Sequence, residues 1–223
     1  MNFLKYIFIK IANLSKLFSR KGLNKFIKNE IFLLDNKNYK ALTIGSGGDT
    51  EKFIKKNRNI NLISIDINKN KKPDILMDVN ELKFDENSFD LVFLFEVLEH
   101  LPNPQNAIDQ IYKVLKPSGI IFLSTPFALE IHGAPNDFYR FSKHGILHLL
   151  SRFKNIQIKE RNTYFESINV LLIRLIQSSY FSDRIIGLFF LFLSIIFLPI
   201  TFIFNFLIRS KSLTTGYVCK ANK

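Results

Sequence analysis

Apolar positions in this chain change period twice. In the first twenty residues Leu4, Ile7, Phe8, Ile11, Leu14 and Phe18 recur at helical spacing, with Lys5, Asn13, Lys16 and Arg20 elsewhere on the wheel. The pattern predicts a basic amphipathic helix within a helical segment over 1–38. Lys5 and Lys10 interrupt the apolar run and no small-residue cleavage site follows, so the segment does not read as a signal peptide. Two placements are open to it: capping the domain that follows, or lying on a membrane surface.

From residue 39 short, near-continuous apolar runs alternate with helical ones. Strands are predicted over 40–45, 60–66, 74–78, 89–95 and 119–125, and helices over 50–57 and 104–115. Apolar strands alternating with helices mean a parallel sheet covered on both faces. The helix over 104–115 is well marked: Asn103 suits its N-cap and Pro104 its first turn, Ile108, Ile111, Tyr112 and Leu115 form one stripe, and Pro117-Ser118-Gly119 turns into the next strand. A loop without periodicity, 126–141, leads into a helix begun by Ser142 and carrying Ile146, Leu149 and Leu150. A loop of that length over a parallel sheet is more often functional than not. FKNIQIKERN then reads as a sixth strand and TTGYVCKANK as a seventh.

Between those two strands, Ile185–Ile208 runs for 24 residues without a charge, flanked by Arg184 and Arg209. The run is long enough to span a bilayer. If the seventh strand joins the same sheet, however, the chain has to return to the side it left, and Arg174 makes a partner crossing over 168–176 costly. The expectation is a hairpin bending near Pro199 and entering one leaflet, with a soluble hydrophobic lid as the alternative. The fold class is therefore α/β: a Rossmann-like, seven-stranded, mostly parallel sheet with a hydrophobic helical insert between the last two strands and an N-terminal amphipathic helix. By residue, the core spans 39–165, the membrane-associating insert 166–212 and the final strand 213–223.

Charge and cysteine content refine this picture. The net charge of +12 suggests an anionic partner, but nine Lys or Arg against two acids fall in residues 1–40 while Asp66–Glu99 is rich in acids. A uniformly basic groove is not indicated, and no nucleic-acid partner is expected. The single cysteine, Cys219, excludes an internal disulfide framework and a cysteine-based zinc site, fits a reducing compartment, and reads as a small buried residue.

The chemistry gathers at ALTIGSGGDT, an apolar strand that breaks into a glycine-rich turn, and at Asp66, 21 residues past the first glycine, at the end of a second apolar run. Strand, glycine turn, short helix and a second strand ending in an acid describe a nucleoside-binding βαβ unit. Three further blocks follow in order: PDILMDVNEL, FDLVFLFEVLEHL and VLKPSGIIFLSTP. With these four blocks the chain resembles class I S-adenosylmethionine-dependent methyltransferases, in particular their small-molecule, methyltransferase type 11-like branch, over about 39–162 and the last ten residues. The resemblance implies S-adenosyl-L-methionine as cofactor. Gly45, Ser46 and Gly47 would border its methionine end, Asp66 would take the ribose diol, Ile67 would face the adenine, and Asp78 and the Val79 amide would meet its polar edge. Phe95 and Glu96 complete that set.

Two departures stand out. Thr43 occupies a position that is usually acidic in the family, and Asp49 replaces the third glycine of the turn. A dinucleotide dehydrogenase would need glycine or alanine where Thr50 stands, and leaves EVLEH unexplained.

Methyl transfer is an in-line displacement that rests on positioning, with a base needed only when the acceptor loses a proton. His100 and His132 are the candidate bases; Asp137, Tyr139 and Arg140 look like substrate-loop residues or a pair that holds the loop closed. Glu96, Glu99 and His100 offer the donors of a metal site, as some quinone O-methyltransferases with a similar block suggest. Adjacent residues on one loop often point apart, however, and no metal ligand is assigned. The expected activity is methyl transfer to a small-molecule or lipid-linked acceptor, a cell-surface sugar, a polyprenyl-linked intermediate or a quinone-type ring, at the cytoplasmic face of the membrane. The alternatives are an RNA methyltransferase and an inactive membrane-associated protein of the same fold.

Overall fold

The structure, a computed structural model, describes residues 3–196, 198–208 and 210–223, without the side chains of residues 3–17, 198, 199, 201 and 202. The amphipathic stripe from Leu4 to Leu14 lies outside the described side chains. The chain forms two compact units. One comprises the residues up to Lys25 with Ala128–Glu130 and Glu160–Gly216, and the other Phe26–Phe127, Ile131–Lys159 and Tyr217–Lys223.

The larger unit carries most of a seven-stranded sheet. Its strands are β1 (Tyr39–Ile44), β2 (Ile60–Asp66), β3 (Ile75–Leu76), β4 (Phe89–Phe95), β5 (Leu115–Pro126), β6 (Lys154–Glu160) and β7 (Gly216–Asn222), in the order β3-β2-β1-β4-β5-β7-β6. The pairs β2-β3, β1-β2, β1-β4 and β4-β5 are parallel. β7 is the exception. Lys223, just past its end, donates to the Gly119 carbonyl near the start of β5, so the two strands run in opposite directions. The Rossmann-like, seven-stranded, mostly parallel sheet expected from the sequence is therefore present, made mixed by one reversed strand between β5 and β6.

Near-continuous burial along β4 and β5 follows from their apolar runs: Phe89, Leu91, Val92, Phe93, Leu94, Ile121, Phe122 and Leu123 are all buried. Phe93 stacks on Phe122 with ring centroids 5.3 Å apart. The strand β5 begins four residues earlier than expected. Ser118 takes a positive φ of 64°, and the pairing slips between Phe89 and Leu91, so Pro117-Ser118-Gly119 is accommodated as a bulge inside the strand.

Helices of this unit start where their caps allow. α2 (Asp49–Lys55) follows Gly48. α3 (Pro104–Val114) is capped by Asn103, whose side chain accepts the Asn106 amide, and it buries Ala107, Ile108, Ile111 and Val114. α4 (Lys143–Leu149) is capped in the same way by Ser142.

In the other unit, α5 (Tyr164–Arg174) opens with a reciprocal capping box between Thr163 and Glu166. The apolar insert carries α6 (Phe181–Ile196) and α7 (Leu198–Leu207), and the bend expected near Pro199 falls at their junction around residue 197, outside the described residues. Among the described residues no helix is long and apolar enough to cross a membrane. Gly187 is required where α6 meets the chain after α5: a Cβ there would stand 2.4 Å from the Ile176 nitrogen. Arg174 pairs with Glu130 rather than facing apolar surroundings alone. N-terminal α1 (Phe3–Phe32) contributes Phe18 to a cluster of Ile173, Ile176 and Leu191.

Two outcomes follow. Burial pushes the Cys219 thiol up to about 12; the native chain is expected to be inert to a thiol-specific disulfide reagent at pH 8 and to release one equivalent of chromophore once denatured. At the β2-β3 edge, hydrogen bonds from Ser64 Oγ and N, at 2.7 and 2.8 Å, hold the Asp74 carboxyl below its ordinary range. Because its folded pKa is depressed, its stabilisation is complete above the ordinary carboxylate range and is lost as pH falls through the folded value. Asp74→Asn is therefore expected to lower the denaturation midpoint near neutral pH, with the difference from wild type closing in acid.

Candidate functional site

The parallel strands β1 to β4 all end at one edge, and their order reverses between β1 and β4. Ligands of open α/β sheets enter at such a reversal. Gly45 follows β1 there and Glu96 follows β4. Gly45 (φ 86°) and Gly47 (φ 81°) adopt the left-handed region, and a Cβ on Gly45 would sit 2.8 Å from Val97 Cγ2. Glycine is thus needed at both positions for the turn.

Asp66 is fixed from both sides. Its Oδ2 accepts the Ser46 amide and its Oδ1 the Asn68 amide, each at 2.8 Å. A carboxylate oxygen accepts more than one hydrogen bond, so both oxygens keep capacity for a pair of hydroxyls. Ile67 beside it is exposed, an apolar surface with no protein cover. The Asp78 Oδ1 caps the short turn Val79–Glu81 by accepting Asn80 N and Nδ2, at 2.8 and 3.1 Å. Val79 is buried in the core cluster. The sequence therefore identifies a coherent row, Gly45 to Gly47, Asp66, Ile67, Asp78 and Phe95, along one strand edge.

A residue missing from that row is Glu51. It is buried and accepts the Gly47 amide at 2.7 Å and Ser46 Oγ at 3.0 Å. Burial opposes its ionisation, but Lys55 at 2.8 Å and the Gly47 amide hold its carboxyl below the ordinary range. Its signal was its place six residues past Gly45 with Lys55 four residues on, the spacing of a helical ion pair. Asp49 does not crowd the turn. It opens α2 with its side chain exposed, where a negative charge suits the helix start. Thr43 is buried inside β1, paired with Ser64 and Phe93.

Past β4 a polar cluster forms. Glu96 is held at a positive φ of 57°, its Oε1 accepting Ser124 Oγ at 2.8 Å. The single turn Leu98–His100 then places Glu99 inward, fully buried, with neither carboxylate oxygen hydrogen-bonded. Two imidazoles stand just beyond hydrogen-bond range of Glu99 Oε1, His132 Nε2 at 3.6 Å and His100 Nε2 at 3.8 Å. Burial pushes the Glu99 carboxyl above the ordinary glutamate range.

The far nitrogen of His100 is hydrogen-bonded, and that of His132 faces a carboxylate at longer range. His100 Nδ1 lies 2.5 Å from the Asn136 carbonyl, and His132 Nδ1 lies 3.8 Å from Asp137 Oδ2. The loop 126–141 is tied down around them. Phe138 N and Tyr139 N both donate to the Glu99 carbonyl, Tyr139 Oη donates to the Pro102 carbonyl, and Gly133 (φ 72°) leaves room for His100, whose Cε1 would be 2.9 Å from a Cβ there. Arg140 grips both oxygens of Asp137 at 2.6 and 2.7 Å, and this guanidinium holds the Asp137 carboxyl far below the ordinary range. Of the two roles open to Asp137 and Arg140, loop closure is visible in the geometry.

One donor atom each from Glu99, His100 and His132 lie within 4.8 Å of one another. A buried, unbonded carboxylate with two imidazoles, that of His100 oriented through its other nitrogen, fits a divalent cation. The sequence set of Glu96, Glu99 and His100 differs in one member: His132 stands with the other two, and Glu96 is bonded to Ser124 instead.

Residues 42–123 match a family model described as a methyltransferase domain. The fold is that of a "SAM dependent methyltransferase" from Archaeoglobus fulgidus, with a TM-score of 0.61 at 18% identity, covering 92% of this chain and 95% of that one. It also matches phosphoethanolamine N-methyltransferase 2 of Haemonchus contortus, solved with S-adenosyl-L-methionine, with a TM-score of 0.60 at 15% identity over 92% of this chain and 52% of that one. Among curated relatives, ubiquinone/menaquinone biosynthesis C-methyltransferase of Rickettsia typhi is 32% identical over 143 residues, 54% of this chain and 57% of that protein. Ubiquinone biosynthesis O-methyltransferase of Pseudomonas putida is 33% identical over 88 residues, 32% of this chain and 38% of that protein. The chain thus spans a little over half, or less, of the curated relatives it matches. The resemblance drawn from the four sequence blocks agrees with the matched domain and with the fold.

The Asp137 clamp is testable directly. Asp137→Ala is expected to raise hydrogen exchange at the Phe138 and Tyr139 amides by about tenfold, roughly 1.4 kcal/mol of local opening, with exchange in β4 unchanged. Unchanged exchange at both amides would show that Asp137 does not hold the loop.

Proposed function

We propose that this chain is an S-adenosylmethionine-dependent methyltransferase whose acceptor is a small quinone-type ring. The single observation that carries the reading is the row of ligand-ready groups at the β1-β4 reversal, with Asp66 held by two amides beside the strained glycine turn. The cofactor-bound neighbour of the same fold and the methyltransferase domain match support the cofactor. The names of the partly matching relatives support a quinone-type ring over a sugar or a polyprenyl-linked acceptor.

In this reading Asp66 accepts the two ribose hydroxyls, Ile67 covers one face of the adenine, and Asp78 accepts its amine. Gly45 to Gly47 bring backbone amides to the methionine carboxylate. The methyl group leaves the sulfonium sulfur for an electron pair of the acceptor, and the sulfur keeps the electrons of the broken bond. An acceptor hydroxyl or ring carbon must then release one proton.

Glu99, His100 and His132 would hold a divalent cation at the acceptor end of the site. Such an ion, when bound, lowers the pKa of a hydroxyl placed on it. Asn136 orients the His100 imidazole for that task, Asp137 holds the His132 backbone amide, and the Arg140 clamp on Asp137 keeps the loop over the cluster.

Calorimetry tests the two parts separately. Wild type is expected to bind S-adenosylhomocysteine, and Asp66→Ala to lose at least tenfold in affinity, since a charge-assisted pair of hydrogen bonds is removed. Manganese binding followed by paramagnetic resonance is expected in wild type and lost in Glu99→Gln, which should keep its affinity for S-adenosylhomocysteine. No binding of S-adenosylhomocysteine by wild type, or equal binding by Asp66→Ala, would remove the cofactor site as drawn; equal manganese binding by Glu99→Gln would remove the cation.

A further inference from the structure

The smaller unit carries a helix with its polarity reversed. Along α6 the side chains of Phe181, Ile185, Phe189, Phe192 and Ile196 fall on one stripe, at spacings of four, four, three and four, and all five are exposed. The face turned inward bears Gly187, Leu191 and Ser194. The helix thus buries its smaller side chains and shows its larger apolar ones. α7 continues the pattern, with Ile200, Ile203, Phe204, Phe206 and Leu207 all exposed.

Polar groups in and beside the insert are bonded within the unit. Ser194 Oγ bonds the Asn169 side chain and the Phe190 carbonyl, Asp183 accepts Ser178 Oγ at 2.7 Å, and Arg184 Nε donates to the Ser178 carbonyl at 2.6 Å. Thr163 Oγ1 bonds Asn205 Oδ1 at 2.5 Å. A helical insert that satisfies its polar groups inwardly and presents Phe and Ile outwardly has the organisation required by an apolar solvent. A contiguous exposed apolar surface of this kind marks an interaction face.

Charge identifies what covers it. The unit holds eleven Lys or Arg against four Asp or Glu, and its first 25 residues contain six Lys or Arg and no acid. The Lys21 and Lys211 side chains are 71% and 77% exposed and sit in solvent-facing ion pairs with Glu166 at 3.3 Å and Glu160 at 3.7 Å, so the excess of the unit's other basic residues carries the net charge. A second copy of the chain would bring the same positive charge against itself across a symmetric contact, whereas anionic headgroups neutralise it.

We infer that α6 and α7 form a docking face for a membrane surface containing anionic lipid, entered by Phe and Ile side chains and steered by the basic residues of the same unit. The inference stands on this unit alone and is independent of the cofactor site.

Flotation of the purified full chain with vesicles tests it. Wild type is expected to float with vesicles of phosphatidylcholine and phosphatidylglycerol in equal parts. It should float about tenfold less with phosphatidylcholine alone or at high salt. The triple variant Ile185→Ser, Phe189→Ser, Phe192→Ser is expected to lose about tenfold or more of its flotation on the anionic vesicles. Unchanged S-adenosylhomocysteine binding, or, if wild type binds none, an unchanged far-ultraviolet dichroism spectrum and denaturation midpoint, shows that this variant is folded. Failure of wild type to float with the anionic vesicles would overturn the inference. Equal flotation of the triple variant would overturn it too, as would a wild-type dimer that the triple variant converts to monomer without any change in flotation.

Discussion

Backbone amides released at the ends of parallel strands have to find acceptors, and in this chain carboxylates supply them. Asp66 takes the Ser46 and Asn68 amides, Glu51 takes Gly47, Asp78 takes Asn80 and Asp137 takes His132. Where such an amide is shielded from water, as at buried Ser46, leaving it unpaired costs about as much as a lost hydrogen bond, so the Asp66 carboxylate is held in place by the fold itself. The same carboxylates then stand fixed at the edge where a cofactor would enter. Stability of the turns and preparation of the site are one set of hydrogen bonds.

Beyond β4 the arrangement differs. Glu99 is buried with its oxygens unbonded, while its carbonyl accepts two amides from the loop 126–141. The backbone of this residue anchors the loop, and its side chain faces two histidines that the loop and the preceding turn bring from 32 positions apart in the chain. A desolvated carboxyl gains from a proton or a cation, and the two imidazoles, that of His100 bonded through Nδ1 to the Asn136 carbonyl, bring their Nε2 atoms to 3.8 and 3.6 Å from it.

Most of the fold was legible in the sequence because both of its periods are strong. β2 and β4 fall where their apolar runs do, and Asn103 and Ser142 cap the helices that their side chains predict. The reversed direction of β7 was not legible, since strand direction leaves no mark on an alternating or continuous apolar run. The placement of Gly45, Gly47 and Asp66 at the ends of β1 and β2 was legible once the four sequence blocks were read together. The partnership of His132 with Glu99 was not. It depends on how an irregular loop folds back, through the Arg140 clamp and the close approach at Gly133, and neither has a periodic signature. Glu51 hid for a different reason: a glutamate in a helix's first turn usually reads as a solvated charge, and only burial shows it bonded to the glycine turn. For the insert, the uncharged run predicted an apolar environment, and the structure adds the outward apolar face of α6.

The account centres on a cofactor lying across the carboxyl ends of β1 to β4. Its most direct measurement is a crystal structure of the chain grown with S-adenosylhomocysteine. The account predicts the ribose hydroxyls on the Asp66 carboxylate, the adenine against Ile67 with its amine toward Asp78, and the amino-acid end at the Gly45–Gly47 turn. A ligand bound elsewhere, or an unliganded edge in crystals grown at saturating ligand, would contradict it.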